Sequence, residues 1–445
     1  MKLFRIFITL LITLLIVIGF TPEAWAFCGF YVAKADTKLY NQASQVVIAR
    51  DGDRTILTMA NDYQGEVKDF ALVVPVPVVL QQEQVRVGDP KIIKRLDDFS
   101  APRLVEYFDP DPCAGSGVGN GGDITLTGRD RLRSRLSSGV SMNSLGVTVE
   151  ARFNVEEYEV LILSAKESSG LETWLKQNGY QLPQGASRLL QPYIRQNMKF
   201  FVAKINLEEF QKTGSQFLRP LMIAYESPRF MLPIRLGMMN ATTEQDLIVY
   251  VLSPKGQAEI TNYRTVKIPS DTEIPVFVKN EFADFYKAMF ETAYIREGKK
   301  VAFLEYAWDM ASCDPCSAQP LNPEELKRAG VFWLTPNHSN NVLSNRLGGS
   351  NVFITRLHVR YRRDKFSEDL MFQETSNRQQ FQGRYILRHP FTGEMNCKAG
   401  QDYQRSLSAR FEQEAQALAR LTAWNIENIQ KKISQPIPWW RSMWP

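Results

Sequence analysis

Runs of apolar residues, some alternating with polar positions and some continuous, predict more strand than helix along this chain. Gln45-Val-Val-Ile-Ala-Arg50 and Thr55-Ile-Leu-Thr-Met59 flank Asp51-Gly52-Asp53, two strand patterns around the strongest short hairpin signal. Residues 70–80 are apolar throughout and predict a strand buried on both faces, but Pro75 and Pro77 cannot donate to a ladder and push it to an edge or a bulge. Further strands are predicted over residues 147–153, 158–163, 200–205, 221–225, 230–236, 246–252, 266–268, 301–308, 352–361 and 385–387. Helical spacing appears over 91–99 (Ile92, Ile93, Leu96), 171–178 (stopped by Gly179) and 280–297 (Phe282, Phe285, Tyr286, Met289). A helix over 186–197 should be kinked or split by Pro192, and one long amphipathic helix is predicted over 404–432, striped by Leu407, Phe411, Ala415, Leu418, Leu421 and Ile429. Strands and helices mix without strict alternation, which predicts an α+β fold with largely antiparallel sheets. Leu57-Thr-Met-Ala60 and Leu221-Met-Ile-Ala224, each leading through a polar turn to an apolar run with proline, raise the prospect of a duplicated β-unit.

The first 26 residues differ from all of this. Lys2 and Arg5 precede an apolar stretch over 6–20, and Ala24-Trp25-Ala26 closes it, the order of a cleaved secretory signal peptide. The apolar core is short for a membrane anchor, and Phe27 before Cys28 does not suit a lipoprotein site. The expectation is an exported protein, periplasmic, envelope-associated or extracellular, in conditions where thiols oxidise. Behind the signal the chain divides into a β-rich region over 27–112 and a Gly/Ser/Arg-rich linker over 113–145. A central α+β region over 146–310, a β-rich region over 311–400 with a C-x-x-C turn, and a helix with a Trp-rich tail over 401–445 complete it.

The net charge of +5 across 445 residues is mild, and the basic residues are not gathered into the footprint a nucleic-acid binder needs. No later stretch approaches 18 apolar residues, so no transmembrane span is expected after signal cleavage.

Candidate chemistry is sparse. Cys313-Asp-Pro-Cys316 follows the 301–308 strand, a placement that resembles thioredoxin-like proteins. Pro320 and Pro323 leave no long helix directly behind it, and Asp314 opposes thiolate formation, so a structural Cys313–Cys316 disulfide is the favoured reading. Cys28, Cys113 and Cys397 complete an odd set of five, and a bridge from Cys28 to Cys113 or Cys397 would pin the mature N-terminus. A zinc site would need four ligands where a single C-x-x-C exists. Gly117-Val-Gly119-Asn-Gly121-Gly122 satisfies G-x-G-x-x-G on paper but lacks the strand and helix that would make it a phosphate loop. His338, His358 and His389 have no ligand spacing, G-x-S-x-G is missing, and Lys212-Thr213-Gly214 has no S-x-x-K or S-D-N beside it. No catalytic residue and no cofactor is assigned.

Two surfaces could bind something. In Phe353-Ile-Thr-Arg-Leu-His-Val-Arg-Tyr-Arg362, alternation turns Phe353, Leu357, Val359 and Tyr361 inward and Arg356, His358, Arg360 and Arg362 outward. The favoured reading is a solvated face with cross-strand carboxylate partners; the alternative is an anion-binding stripe for acidic glycans, phosphate or lipid head groups. The tail carries Trp439, Trp440 and Trp444 beside Lys431, Lys432 and Arg441, suited to a membrane interface or to packing back on the protein.

Several blocks together resemble the bacterial family called domain of unknown function 2330. They are Phe27-Cys-Gly-Phe-Tyr-Val, Gln45-Val-Val-Ile-Ala-Arg-Asp-Gly-Asp53, Phe70-Ala-Leu-Val-Val-Pro-Val-Pro77, Trp308-Asp-Met310 with Cys313-Asp-Pro-Cys316, and Tyr385-Ile-Leu-Arg-His-Pro390. The resemblance spans about residues 27–400 and implies an exported bacterial protein; it carries no activity. The resemblance implies a second cysteine close behind the first, whereas Phe30-Tyr31-Val32 stands here. The expected function is therefore a non-catalytic envelope or extracellular scaffold that binds a polysaccharide, a lipid surface or a partner protein. The alternative is a thiol-disulfide oxidoreductase using Cys313 and Cys316.

Overall fold

The computed structural model describes residues 30–33, 40–41, 44–60, 63–64, 70–114, 141–142, 146–178, 186–212, 218–239, 244–313, 318–334 and 351–434. The signal segment, most of the glycine-rich linker including Gly117–Gly122, Cys28, Cys316, His338 and the tryptophan tail (Trp439, Trp440, Trp444) lie outside them.

In chain order come β1 (Phe30–Ala33), β2 (Ser44–Asp51), β3 (Arg54–Ala60), β4 (Phe70–Val76), β5 (Val85–Val87), α1 (Pro90–Ser100) and β6 (Arg103–Phe108). Next are β7 (Ser141–Met142), β8 (Val147–Val155), β9 (Tyr158–Ala165), α2 (Ser168–Gln177), α3 (Ala186–Arg195), β10 (Lys199–Ile205), α4 (Leu207–Lys212) and β11 (Leu221–Glu226). The second half holds β12 (Gln245–Ser253), β13 (Arg264–Lys267), α5 (Phe282–Arg296), β14 (Val301–Asp309), α6 (Pro323–Arg328) and β15 (Phe353–Tyr361). It ends with β16 (Phe381–Gln382), β17 (Arg384–His389), α7 (Lys398–Thr422) and α8 (Ile426–Ser434).

Two large sheets organise most of these elements into an α+β fold, while β6 and β17 pair in parallel in a smaller one. One runs β13-β14-β15-β12-β2-β3-β11-β5 with β16 beside β14; the other runs β1-β4-β10-β9-β8-β7. The second is antiparallel throughout, while β2/β12 and β13/β14 make the first mixed. Strands from before and after the linker pair within both sheets, β2 with β12 and β4 with β10.

The sheets face each other across one core. Val46, Ile48, Leu57, Leu247, Val249, Leu357 and Val359 from the first sheet meet Leu72, Val74, Val160, Ile162 and Phe201 from the second. Alternate residues of the same strands point the other way and are covered too. The outer face of the second sheet packs on α2 and α3 through Leu171, Trp174, Leu190 and Tyr193. The outer face of the first sheet is covered at one end by α1 and α6, through Ile92, Leu96, Phe99 and Leu326. At the other end it is covered by α5, α7 and α8, through Phe285, Met289, Phe290, Leu418 and Ile429. Helix, sheet, sheet, helix is the layer order, and it explains why so many strands are continuously apolar: both of their faces are buried.

Three local expectations need correction. β4 is an interior strand between β1 and β10, not an edge. Among the described residues, β1 pairs with residues 70–73 and not with Pro75, which lies opposite Phe200 of β10. Pro192 sits inside α3 without splitting it, on a turn whose preceding residue Arg188 is exposed, so water can serve the carbonyl the ring leaves without a donor. The long C-terminal helix is two helices: Ala423 adopts φ 59, and the Asn425 side chain accepts from the Asn428 amide at 3.1 Å to start α8. The echoed segments Leu57–Ala60 and Leu221–Ala224 lie side by side, since β3 and β11 pair antiparallel with Leu57 opposite Ile223.

Candidate functional site

β15 carries the basic stripe, and the alternation along it is as expected: Phe353, Leu357, Val359 and Tyr361 enter the intersheet core. The opposite side does not meet water. Helices α1 and α5 lie over it, leaving Arg356 only 6% exposed and His358 8%. The solvated face, and with it an accessible anion-binding stripe, is thus replaced at Arg356, His358 and Arg360 by a buried charge cluster.

Its centre is Glu305 on β14, 1% exposed. The register between β14 and β15 shifts between Leu304 and Tyr306, a bulge at Glu305 that lets two consecutive residues face the helices. Glu305 Oε2 accepts from Arg356 Nε at 2.6 Å, Oε1 lies 2.7 Å from His358 Nδ1, and the Tyr286 hydroxyl of α5 also donates to Oε1. Arg356 Nη1 reaches Asp97 Oδ1 of α1 at 2.6 Å, and the guanidinium lies over the Tyr250 ring. The other nitrogen of His358 is 3.2 Å from Asp246 Oδ1 on β12, and Phe290 stacks on the ring at 3.9 Å. Arg360 grips Asp246 with two hydrogen bonds, at 2.8 and 2.6 Å, and reaches Glu291 of α5 at 2.6 Å. Arg362, at the rim, pairs with Asp364 at 2.6 Å and Glu244 at 3.4 Å.

The electrostatics follow from this crowding. Burial alone would raise the carboxyl of Glu305, but His358 and Arg356 hold it down at about 2. Asp246 is likewise pushed up by burial and pulled down to about 2 by Arg360 and His358. For His358 burial favours the neutral ring, yet Glu305 and Asp246 outweigh it and raise its pKa. A carboxylate oxygen stands at each ring nitrogen, so the doubly protonated ring satisfies both contacts. Arg356, His358 and Arg360 face Asp97, Asp246, Glu291 and Glu305, which leaves no surplus positive charge for an external anion. Nor is a nitrogen of His358 left to exchange protons with a substrate. Chemically the cluster pins two helices to the sheet.

Asp246 on β12 and Glu305 on β14 are the cross-strand carboxylates expected beside the stripe, though the pattern along β15 named neither. Glu305 was legible as the lone charge in Val301-Ala-Phe-Leu-Glu-Tyr-Ala-Trp308, since a charge inside an apolar strand requires a partner. Asp97 carried no such mark. Among the described residues no group of His, Cys, Asp and Glu is arranged to hold a metal ion. Among them, too, no helix is long and apolar enough to cross a membrane.

The bridge expected from Cys28 to Cys113 or Cys397 is replaced. Cys113 and Cys397 pair with each other across 284 residues, so neither bridges to Cys28. Cys313 is disulfide-bonded and packs half-buried against the core under α1 and α6. His389 stacks on Phe108 with ring centroids 4.4 Å apart and lies 2.8 Å from Glu106 Oε2, at the surface.

Fold and site together define a disulfide-bridged α+β protein of four layers with its basic strand turned inward. The chain belongs to the family described as uncharacterized protein conserved in bacteria (domain of unknown function 2330), whose model matches residues 22–373. The match ends before Tyr385-Ile-Leu-Arg-His-Pro390 and before Cys397. No curated protein and no solved structure matches the chain.

Proposed function

We propose that the protein is exported and acts as a non-catalytic scaffold or binding protein of the bacterial envelope or extracellular space. The observation that carries this reading is the Cys113–Cys397 bridge together with the bonded state of Cys313. Disulfides persist in oxidising compartments, which agrees with the signal-like segment at residues 1–26. The non-catalytic part is supported by the cluster on β15, where the ionisable side chains neutralise one another. The ligand class is an envelope polysaccharide, a lipid surface or a partner protein.

Two experiments test it. Cell fractionation of the full chain should recover it outside the cytoplasm, and deletion of residues 1–26 should strand it inside; recovery of both forms in the cytoplasm refutes export. A glycan and lipid array should then separate the intact protein from a version truncated before Ser434, and equal, ligand-free behaviour of both leaves no binding role for the tail. The oxidoreductase reading of Cys313 and Cys316 gains nothing from the described residues, because the next helix starts only at Pro323. A reduction potential for that pair below about −300 mV would remove it.

A further inference from the structure

The two ends of the Cys113–Cys397 bridge sit in unlike surroundings. Cys113 is exposed in the turn beyond β6, and its amide donates to Asp111 Oδ1 at 2.8 Å, which brings a carboxylate to that end. Cys397 is the N-cap of the 25-residue helix α7, where its Sγ accepts the Gly400 amide at 3.2 Å. Lys398 follows it directly. An aligned amide, a helix N-terminus and an adjacent ammonium all favour sulfur as the anion. The carboxylate of Asp111 disfavours the anion at Cys113.

Among the described residues, the helix end held by this bridge has little apolar burial. Of residues 398–413, only Gly400 is buried; the apolar docking of α7 begins at Ala415 and continues through Leu418. Apart from the bridge, the side-chain ties from this half to β6 and its turn converge on Asp109. That carboxylate accepts from Tyr403 and Arg410, each at 2.5 Å, while Arg388 of β17 lies 3.8 Å away. One turn further, Glu414 faces Arg410 at 3.4 Å.

We propose that Cys113–Cys397 is a redox clasp, opened by a dithiol, that releases the N-terminal half of α7 while its C-terminal half stays docked. The incoming thiolate attacks Sγ of Cys113, the more exposed of the two residues. A bond forms between the two, the bond to Cys397 breaks, and its electron pair leaves on Cys397 Sγ, stabilised as thiolate at the helix N-terminus. The second thiol of the reductant then attacks the mixed disulfide. It leaves Cys113 as a thiol and the reductant as its own disulfide, so two electrons pass from dithiol to protein. Residues 398–413, with little apolar burial, then open locally without global unfolding. This inference goes beyond the scaffold reading and survives its failure, because it concerns the folded chain wherever that chain resides.

The test uses the oxidised, folded full chain titrated with dithiothreitol, followed by alkylation and peptide mapping. Cys113 and Cys397 should become alkylated at lower dithiol than Cys313. Hydrogen exchange should then quicken over 398–413 and stay slow over 415–434. The exposed substitution Lys398→Glu should slow opening several-fold with no change in the circular dichroism spectrum. Persistence of the bridge until the protein unfolds, earlier opening at Cys313, or unchanged exchange over 398–413 after reduction would each overturn the clasp. An unchanged rate in Lys398→Glu would overturn the assignment of Cys397 as the leaving sulfur.

Discussion

At Glu305 one carboxylate serves Arg356, His358 and Tyr286 at once, and the cost of removing it is set by what stays behind. Glu305→Gln leaves two buried cations short of a counter-charge and should lower stability by about 3–5 kcal/mol in urea denaturation. A loss within 1 kcal/mol would mean that the cluster is not closed as described. The pH dependence has two arms. Glu305 and Asp246 titrate near 2 when folded, below their ordinary values of 4.5 and 3.8. Their contribution is therefore complete above those ordinary values and is lost as pH falls toward 2. His358 moves the other way: with its folded pKa raised above 6.5, its contribution is complete below 6.5 and is lost as pH climbs through the folded value. His358→Gln should flatten that alkaline arm in thermal melts across pH, and an unaltered profile would locate the dependence elsewhere. Alternation along Phe353–Tyr361 sorted inward from outward residues correctly, because side-chain period is a local property of a strand. It could not say what lies against the outward side, which depends on α1 and α5 arriving from distant parts of the chain.

Local chemistry made some elements legible to the residue. Asn322 caps α6 with Pro323 at its first position and Glu325 closing a capping box, all within four consecutive residues. The Asp51-Gly52 hairpin forms with Asp51 opposite Arg54 and Gly52 at φ 60. The failures share a cause, since tertiary partners decided them: β1 and β10 flank β4 from both sides, and α8 folds back so that Ile429 joins the core under α7. Gly330, just past α6, holds φ 99, and a Cβ there would stand 2.8 Å from Ile56 Cγ2 on β3. Gly330→Ala should therefore cost about 1–3 kcal/mol, read as a lower urea midpoint with unchanged slope. On α7, burial outweighs the neighbouring Arg410 and lifts the Glu414 carboxyl to about 7. A carboxyl raised when folded holds its proton more tightly there, so stability falls as pH rises from about 4.5 to about 7. Glu414→Gln should abolish that slope and gain roughly 1–3 kcal/mol at pH 8. A loss of stability at pH 8 would show that the pairing with Arg410 outweighs burial.

For the molecule as a whole, composition and pattern sufficed for an α+β fold, and residue blocks along the chain sufficed for the family that the comparison bears out. The layering was not legible, because continuous apolar strands say that two faces are covered without saying whether sheet or helix covers them. Nor was the pairing of Cys113 with Cys397, which chain order leaves open and only the meeting of β6 and β17 brings together. That bridge links the start of the glycine-rich stretch to the first turn of α7 and so ties the part matched by the family to the C-terminal helices. Intact mass spectrometry of the cell-produced protein, alkylated without reduction, checks the proposed export and oxidation together. The expected product is a chain that begins at Phe27 with Cys113 and Cys397 unmodified by the alkylating reagent. A chain that begins at Met1 with both cysteines alkylated would contradict it.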